Sequence, residues 1–208
     1  MRPHDPHLAR GLDVGPARDR ELIERLRARL GQRQRVVVDV GHWTQAGVLV
    51  PLRPSRSGTE LIFTRRTDTV LTHKGQISFP GGALEASDAS VVEAALRESH
   101  EEIGLDPGRV DVLGQLDDVP TVVSGFVITP VVATVDVNPA DLRPAPLEVK
   151  DLLVVPLSRL LDPAVHRAEE RVADGMRFTI HYFTIDQDVI WGATGRILDQ
   201  FLQIWSSL

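Results

Sequence analysis

The chain has 208 residues, 42% hydrophobic and 25% charged, with a formal net charge of −6. This composition suits one sizeable folded domain and argues against both a wholly disordered chain and a general nucleic-acid binder, which needs a basic surface. There is no cysteine, so disulfides, cysteine zinc sites and thiol nucleophiles are all excluded.

Residues 1–17 are rich in Pro and Gly, carry no periodic apolar pattern and read as a loose arm. Met1-Arg2-Pro3-His4-Asp5 holds no apolar signal segment, and no apolar run approaches the ~20 residues that cross a bilayer. A cytoplasmic, soluble protein is the expectation. From Ala17 to Leu30 the residues Leu22, Ile23, Leu26 and Leu30 recur at helical spacing, with Gly31 as a stop.

Beyond Val36 the pattern changes to short β-branched runs punctuated by Gly, Pro, Asp and Asn. Strands are predicted at Val36–Val40, Ala46–Pro51, Leu61–Thr64, Ile77–Phe79, Val110–Leu116, Phe126–Val135, Leu152–Val155, Phe178–Ile185 and Val189–Trp191. Two further helical patterns interrupt them, Ser90–Ile103 and Thr194–Trp205. Many strands with few helices imply an α+β or mixed sheet with helices on its faces. Residues 1–35 are read as an arm plus helix, and 36–208 as the main domain.

The segment from Gly81 to Leu105 carries the chemistry. Ser90 and Glu93 form a candidate capping box, and Gly104 is a natural helix stop. Val92, Ala95, Leu96, Ser99 and Ile103 share about 100° of arc, the width of a core-facing stripe. Glu98 and Glu102 lie about 40° apart and Glu101 about 60° from Glu98, bordering that stripe. Like charges at this spacing repel by a few tenths of a kcal/mol, and a cation turns the repulsion into coordination. Oxygen-only ligands select hard ions, so Mg²⁺ or Mn²⁺ is the expected cofactor. A solvated acidic face that binds nothing is the plainer alternative for the helix alone.

Phe79-Pro80-Gly81-Gly82 followed by Arg97-Glu98-Ser99-His100-Glu101-Glu102-Ile103-Gly104-Leu105 resembles the signature of the Nudix family. The spacing from Asp88 to Arg97 is one residue longer than in the common motif, Asp88 stands where Glu is usual, and Ser99 replaces an aliphatic residue. The flanks narrow the resemblance. Leu61-Ile62-Phe63-Thr64-Arg65-Arg66 and His73-Lys74-Gly75-Gln76-Ile77-Ser78 are similar to the coenzyme A pyrophosphatase branch, as are Ser124-Gly125-Phe126, Thr129-Pro130-Val131-Val132 and Trp191 to Arg196.

That resemblance implies an α/β/α sandwich with a mixed central sheet, and a metal-dependent pyrophosphatase. It implies Glu98 and Glu102 as principal metal ligands, Glu101 as a further ligand or water-orienting residue, and a carbonyl of Gly81 or Gly82 completing the site. Arg97 is read as the ion-pair partner that orients these carboxylates. Glu148 is a lesser candidate for the general base.

Arg65, Arg66, His73, Lys74 and Gln76 are the candidate substrate-binding residues, a local basic patch offsetting the negative total charge. Since Arg65 and Arg66 alternate along a strand, only one can face the site. The implied substrate is coenzyme A or its thioesters. The alternatives are another nucleoside diphosphate derivative, such as ADP-ribose, a dinucleotide or an oxidised nucleoside triphosphate, and a non-catalytic nucleotide-binding module. No nucleic-acid or membrane partner is expected, and a homodimer is possible. His100, about 160° from Glu98, and His166 and His181, without partner spacing, are assigned no role.

Overall fold

The computed structural model of the protein describes residues 16–67, 75–122, 124–173 and 176–208. His73 and Lys74 lie outside the described residues. Four α-helices are described: α1 (Pro16–Gln32), α2 (Val91–Ile103), the short α3 (Leu157–Leu160) and α4 (Gly192–Ser206). The strands are β1 (Thr44–Ser55), β2 (Gly58–Arg66), β3 (Ile77–Ser78), β4 (Gly81–Ala83), β5 (Val110–Gln115), β6 (Val119–Thr121), β7 (Phe126–Val135), β8 (Val149–Pro156), β9 (His166–Ala173), β10 (Met176–Ile185) and β11 (Asp188–Ile190).

The first eight strands form one mixed sheet with a backbone order β3-β2-β1-β7-β5. β1 and β7 run parallel, Thr44 opposite Phe126 through Leu52 opposite Thr134, and the other pairs are antiparallel. β9, β10 and β11 make a second, three-stranded antiparallel sheet.

Strand side chains alternate between faces, and the sheet uses both. Leu49, Ile62, Val131 and Ala133 point to one core with Ala95 and Ile103 of α2. Their neighbours Val50, Leu61, Phe63 and Val132 point to the other, which includes Leu26 and Leu30 of α1 and Leu198, Phe201 and Trp205 of α4. Burial on both faces explains why these strands read as near-continuous apolar runs rather than alternating ones. A fully buried side chain such as Leu26 or Phe201 contributes about 1.5–3 kcal/mol relative to exposure. The outcome is the mixed sheet between helical layers expected above.

One strand prediction is corrected. Val36–Val40 forms no strand; Val36 and Val37 are exposed. Its N–H groups bond side chains instead of a ladder: Val36 N–H donates to Asp117 at 2.7 Å and Val38 N–H to Asp118 at 2.9 Å. Local β propensity was overridden by these carboxylate acceptors, with the Asp118 N–H also donating to Val36 O at 3.0 Å.

Among the described residues no helix is long and apolar enough to cross a membrane.

Candidate active site

Helix α2 is held at both ends by its own sequence. Ser90 Oγ accepts the Glu93 N–H at 3.3 Å, and the Glu93 carboxylate accepts the Ala89 N–H at 2.7 Å. A cap of this kind stabilises a helix by about 1 kcal/mol. At the far end the Gly104 N–H returns to His100 O at 2.9 Å and the Leu105 N–H to Ser99 O at 3.4 Å. Ser99, the departure from an aliphatic residue, is fully buried and satisfies its hydroxyl on Ala95 O at 2.6 Å. The polar substitution therefore leaves no unpaired group in the core.

The glycine pair sits in β4, which pairs with β1 beneath α2. Gly81 has φ 148°, and a Cβ there would stand 2.3 Å from Gly47 O; at Gly82 a Cβ would lie 2.4 Å from the Glu98 carboxyl carbon. Only glycine lets this backbone pass so close to the helix acids. The Gly81 N–H donates to Glu102 Oε2 at 3.1 Å.

The three acids differ in environment. Glu102 is buried, Glu98 is mostly buried and Glu101 is exposed. Burial pushes the Glu102 carboxyl up to about 7, with the Glu98 and Glu148 charges adding to the rise and the Gly81 N–H and Arg66 opposing it. Glu98 is raised as well, again chiefly by burial, against the pull of Arg97. A cluster of this kind is short of positive charge. A hard divalent cation fits it, because carboxylate and carbonyl oxygens are the donors such ions prefer and the buried acid gains a counter-charge.

Arg97 ties the cluster together. Its guanidinium donates to both carboxylate oxygens of Asp88 at 3.1 Å, to Glu98 at 2.9 Å, to Glu101 at 3.3 Å and to Ala83 O at 3.0 Å. The Arg97 hydrogen bonds hold Asp88 below the usual carboxylate range. The longer loop before the helix thus closes through Asp88 onto Arg97. Glu148 is exposed in the turn before β8, yet close enough for its charge to act on both Glu98 and Glu102.

The basic pair separates. Arg65 is committed elsewhere: it makes two hydrogen bonds to Asp188, at 2.7 and 2.9 Å, and one to Asp151 at 2.9 Å. Arg66, one residue on, has a buried Nε with no hydrogen-bond partner among the described residues, and its charge acts on Glu102. Gln76 accepts the Arg66 N–H through its carbonyl, while its side chain lies by Gly192 at the start of α4. Phe79 is core, stacked on Phe63 with ring centroids 4.6 Å apart. His100 is exposed, with Nδ1 3.2 Å from Leu105 O. Sequence reasoning did not single out Asp188, which reads as part of a solvated turn; its partner lies 123 positions away, so no local signal marks it.

Comparison with known proteins places the chain in a family. A model of the NUDIX domain matches residues 43–174. A protein described as an uncharacterized Nudix hydrolase, NudL, from Citrobacter koseri is 38% identical over 168 residues, 77% of this chain and 82% of its own. Its namesake from Photorhabdus laumondii is 34% identical over 158 residues, 76% of this chain and 83% of its own. In fold, a MutT/nudix family protein from Enterococcus faecalis superposes with a TM-score of 0.52 at 14% identity, covering 91% of this chain and 74% of that one. Hydrolases of this family generally use divalent metals such as Mg²⁺ or Mn²⁺. With its glycine pair, helix acids and capping glycine in one place, the chain belongs to the Nudix family and is a hydrolase of phosphoanhydrides in nucleoside diphosphate derivatives.

Proposed function

We propose that the protein hydrolyses the diphosphate of coenzyme A and its thioesters, giving 3′,5′-ADP and 4′-phosphopantetheine or its acyl form. The observation that carries this reading is Arg66, whose charge acts on Glu102 of the cluster and whose buried Nε has no hydrogen-bond partner among the described residues, a cationic side chain suited to a substrate anion. The similarity of Leu61–Arg66 and His73–Gly82 to the coenzyme A branch directs it to that substrate.

Glu98 and Glu102, with Glu101 and a carbonyl of Gly81 or Gly82, would hold Mg²⁺ or Mn²⁺, which would supply charge neutralisation on the phosphates and activation of water. The protein's own part is preorganisation. Arg97 fixes the Glu98 and Glu101 carboxylates from one side, so neither has to reorient when substrate arrives. Glu102 must lose its proton to act as a ligand, and its elevated pKa makes that loss dependent on pH near neutrality. Arg66 binds substrate oxygens, with His73 and Lys74 extending the basic patch. Glu101 orients the attacking water where it does not ligate, and Glu148 is the exposed carboxylate that can take its proton. Operation in the cytoplasm is part of the same proposal.

Initial rates on coenzyme A, 3′-dephospho-coenzyme A and ADP-ribose test the substrate. The expected result is a kcat/KM for coenzyme A about tenfold or more above the other two, the worth of one charge-assisted contact. Equal or better rates without the 3′-phosphate would overturn the assignment.

A further inference from the structure

Away from the carboxylate corner, His166 at the start of β9, His181 in β10 and Asp199 in α4 converge. His166 Nε2 lies 3.1 Å from His181 Nδ1; Asp199 Oδ1 lies 3.3 Å from His181 Nδ1 and 3.9 Å from His166 Nε2. These three atoms lie within 4.8 Å of one another. With bonds of about 2.0–2.1 Å, neighbouring ligands of a tetrahedral zinc ion stand about 3.3 Å apart; two edges of the observed triangle match this, and the His166–Asp199 edge, at 3.9 Å, has to shorten by about 0.6 Å.

The surroundings preset the ligands. The His166 ring stacks on Phe183, centroids 4.5 Å apart, and the two imidazole planes lie within 4° of each other. Gln203 donates to Asp199 Oδ2 at 2.7 Å, which leaves Oδ1 turned toward the histidines. A hydrogen bond of this type to the second carboxylate oxygen is what fixes a ligating carboxylate. All three side chains keep partial exposure, so an ion can enter.

We propose that His166, His181 and Asp199 form a second metal site, for an imidazole-preferring ion of the Zn²⁺ class, that clasps the β9–β10 hairpin to helix α4. Two nitrogens and one oxygen distinguish it from the all-oxygen set on α2, which selects harder ions. Three protein ligands leave the fourth position to water. The inference does not rest on the proposed substrate or on the roles of the α2 acids.

The test uses the full chain, stripped of metal by chelator and held in excess Mg²⁺ so that hard-ion sites are filled. Titration with Co²⁺ should give an intense, saturable visible absorption of low-coordinate geometry, displaced by Zn²⁺. His181→Gln and Asp199→Asn should each weaken the apparent affinity by about tenfold or more, while Glu98→Gln leaves the absorption unchanged. Zn²⁺ at about a hundred times its Kd should also raise the melting temperature by about 5 °C. Absence of a saturable absorption in the wild type overturns the proposal, as does one that survives both substitutions. Should both variants fail to fold, X-ray absorption of the wild-type zinc form decides: two nitrogen ligands at about 2.0 Å support the clasp, and an all-oxygen shell refutes it.

Discussion

The carboxylate corner and the histidine corner each gather three ionisable side chains, by opposite routes. Glu98, Glu101 and Glu102 lie within five consecutive residues of one helix, so helical periodicity alone sets them on one flank. His166, His181 and Asp199 come from two strands and a helix, and only the packing of β9–β10 against α4 brings them together. Local geometry gives the first group rigid spacing and mutual repulsion that a hard cation relieves. Tertiary packing gives the second group a mixed donor set of two nitrogens and one oxygen.

Substituting one corner at a time should separate them. The largest effect is expected for Glu98→Gln, which should lower kcat/KM by about 10³-fold, through loss of metal-based charge stabilisation worth several kcal/mol. Circular dichroism should show an unchanged fold. His181→Gln should leave the steady-state rate with Mg²⁺ within about twofold; a loss matching that of Glu98→Gln would mean that the two corners work as one site.

Gly82→Ala should cost about 10–100-fold in kcat/KM, since the added Cβ displaces the Glu98 carboxyl that it would meet at 2.4 Å. The KM for Mg²⁺ is the measurement that assigns the loss to metal binding. Arg66→Ala should raise the KM for coenzyme A about tenfold with little change in melting temperature. Arg65→Ala should do the reverse: it strands Asp188 and should destabilise the fold by about 1–2 kcal/mol, read by denaturant unfolding.

Glu102 gives a prediction with a pH sign. Its folded pKa, about 7, lies above the unfolded one, so in metal-free protein the folded state binds the extra proton. The stability it contributes is full at acid pH and falls as pH rises toward and through 7. Glu102→Gln should therefore stabilise the metal-free protein at pH 8 by on the order of 1–3 kcal/mol and change little at pH 4. Saturating Mg²⁺ should erase the difference in favour of the wild type. Urea unfolding at the two pH values, with and without Mg²⁺, checks both.

Legibility followed range. The α2 boundaries, its Ser90 cap and its Gly104 stop could be read because capping and periodicity act within a few residues. β7 was predicted at its observed limits, Phe126–Val135, an apolar run bounded by turn residues. Val36–Val40 misled because strand propensity says nothing about distant acceptors; Asp117 and Asp118, about 80 positions on, claim the N–H groups of Val36 and Val38. The division between Arg65 and Arg66 was predictable as alternation, but which of them faces an acid partner was not. The histidine pair did leave a trace: an Asp-Gly dipeptide is a sequence signal for a hairpin, and in the observed register His166 stands opposite Phe183 and His181 opposite Ala168, which makes the two histidines diagonal neighbours on one face.

The sequence by itself determined the carboxylate helix, the glycine pair before it and the apolar runs that make a doubly covered sheet, because these depend on short-range periodicity and steric allowance. Tertiary structure alone decided that Arg65 is bound to Asp188 while Arg66 keeps a nitrogen without a partner among the described residues, that burial raises the Glu102 carboxyl to about 7, and that two histidines meet Asp199. Each of those outcomes depends on burial and on partners distant in the chain, and both exist only once the sheet has brought its strands together.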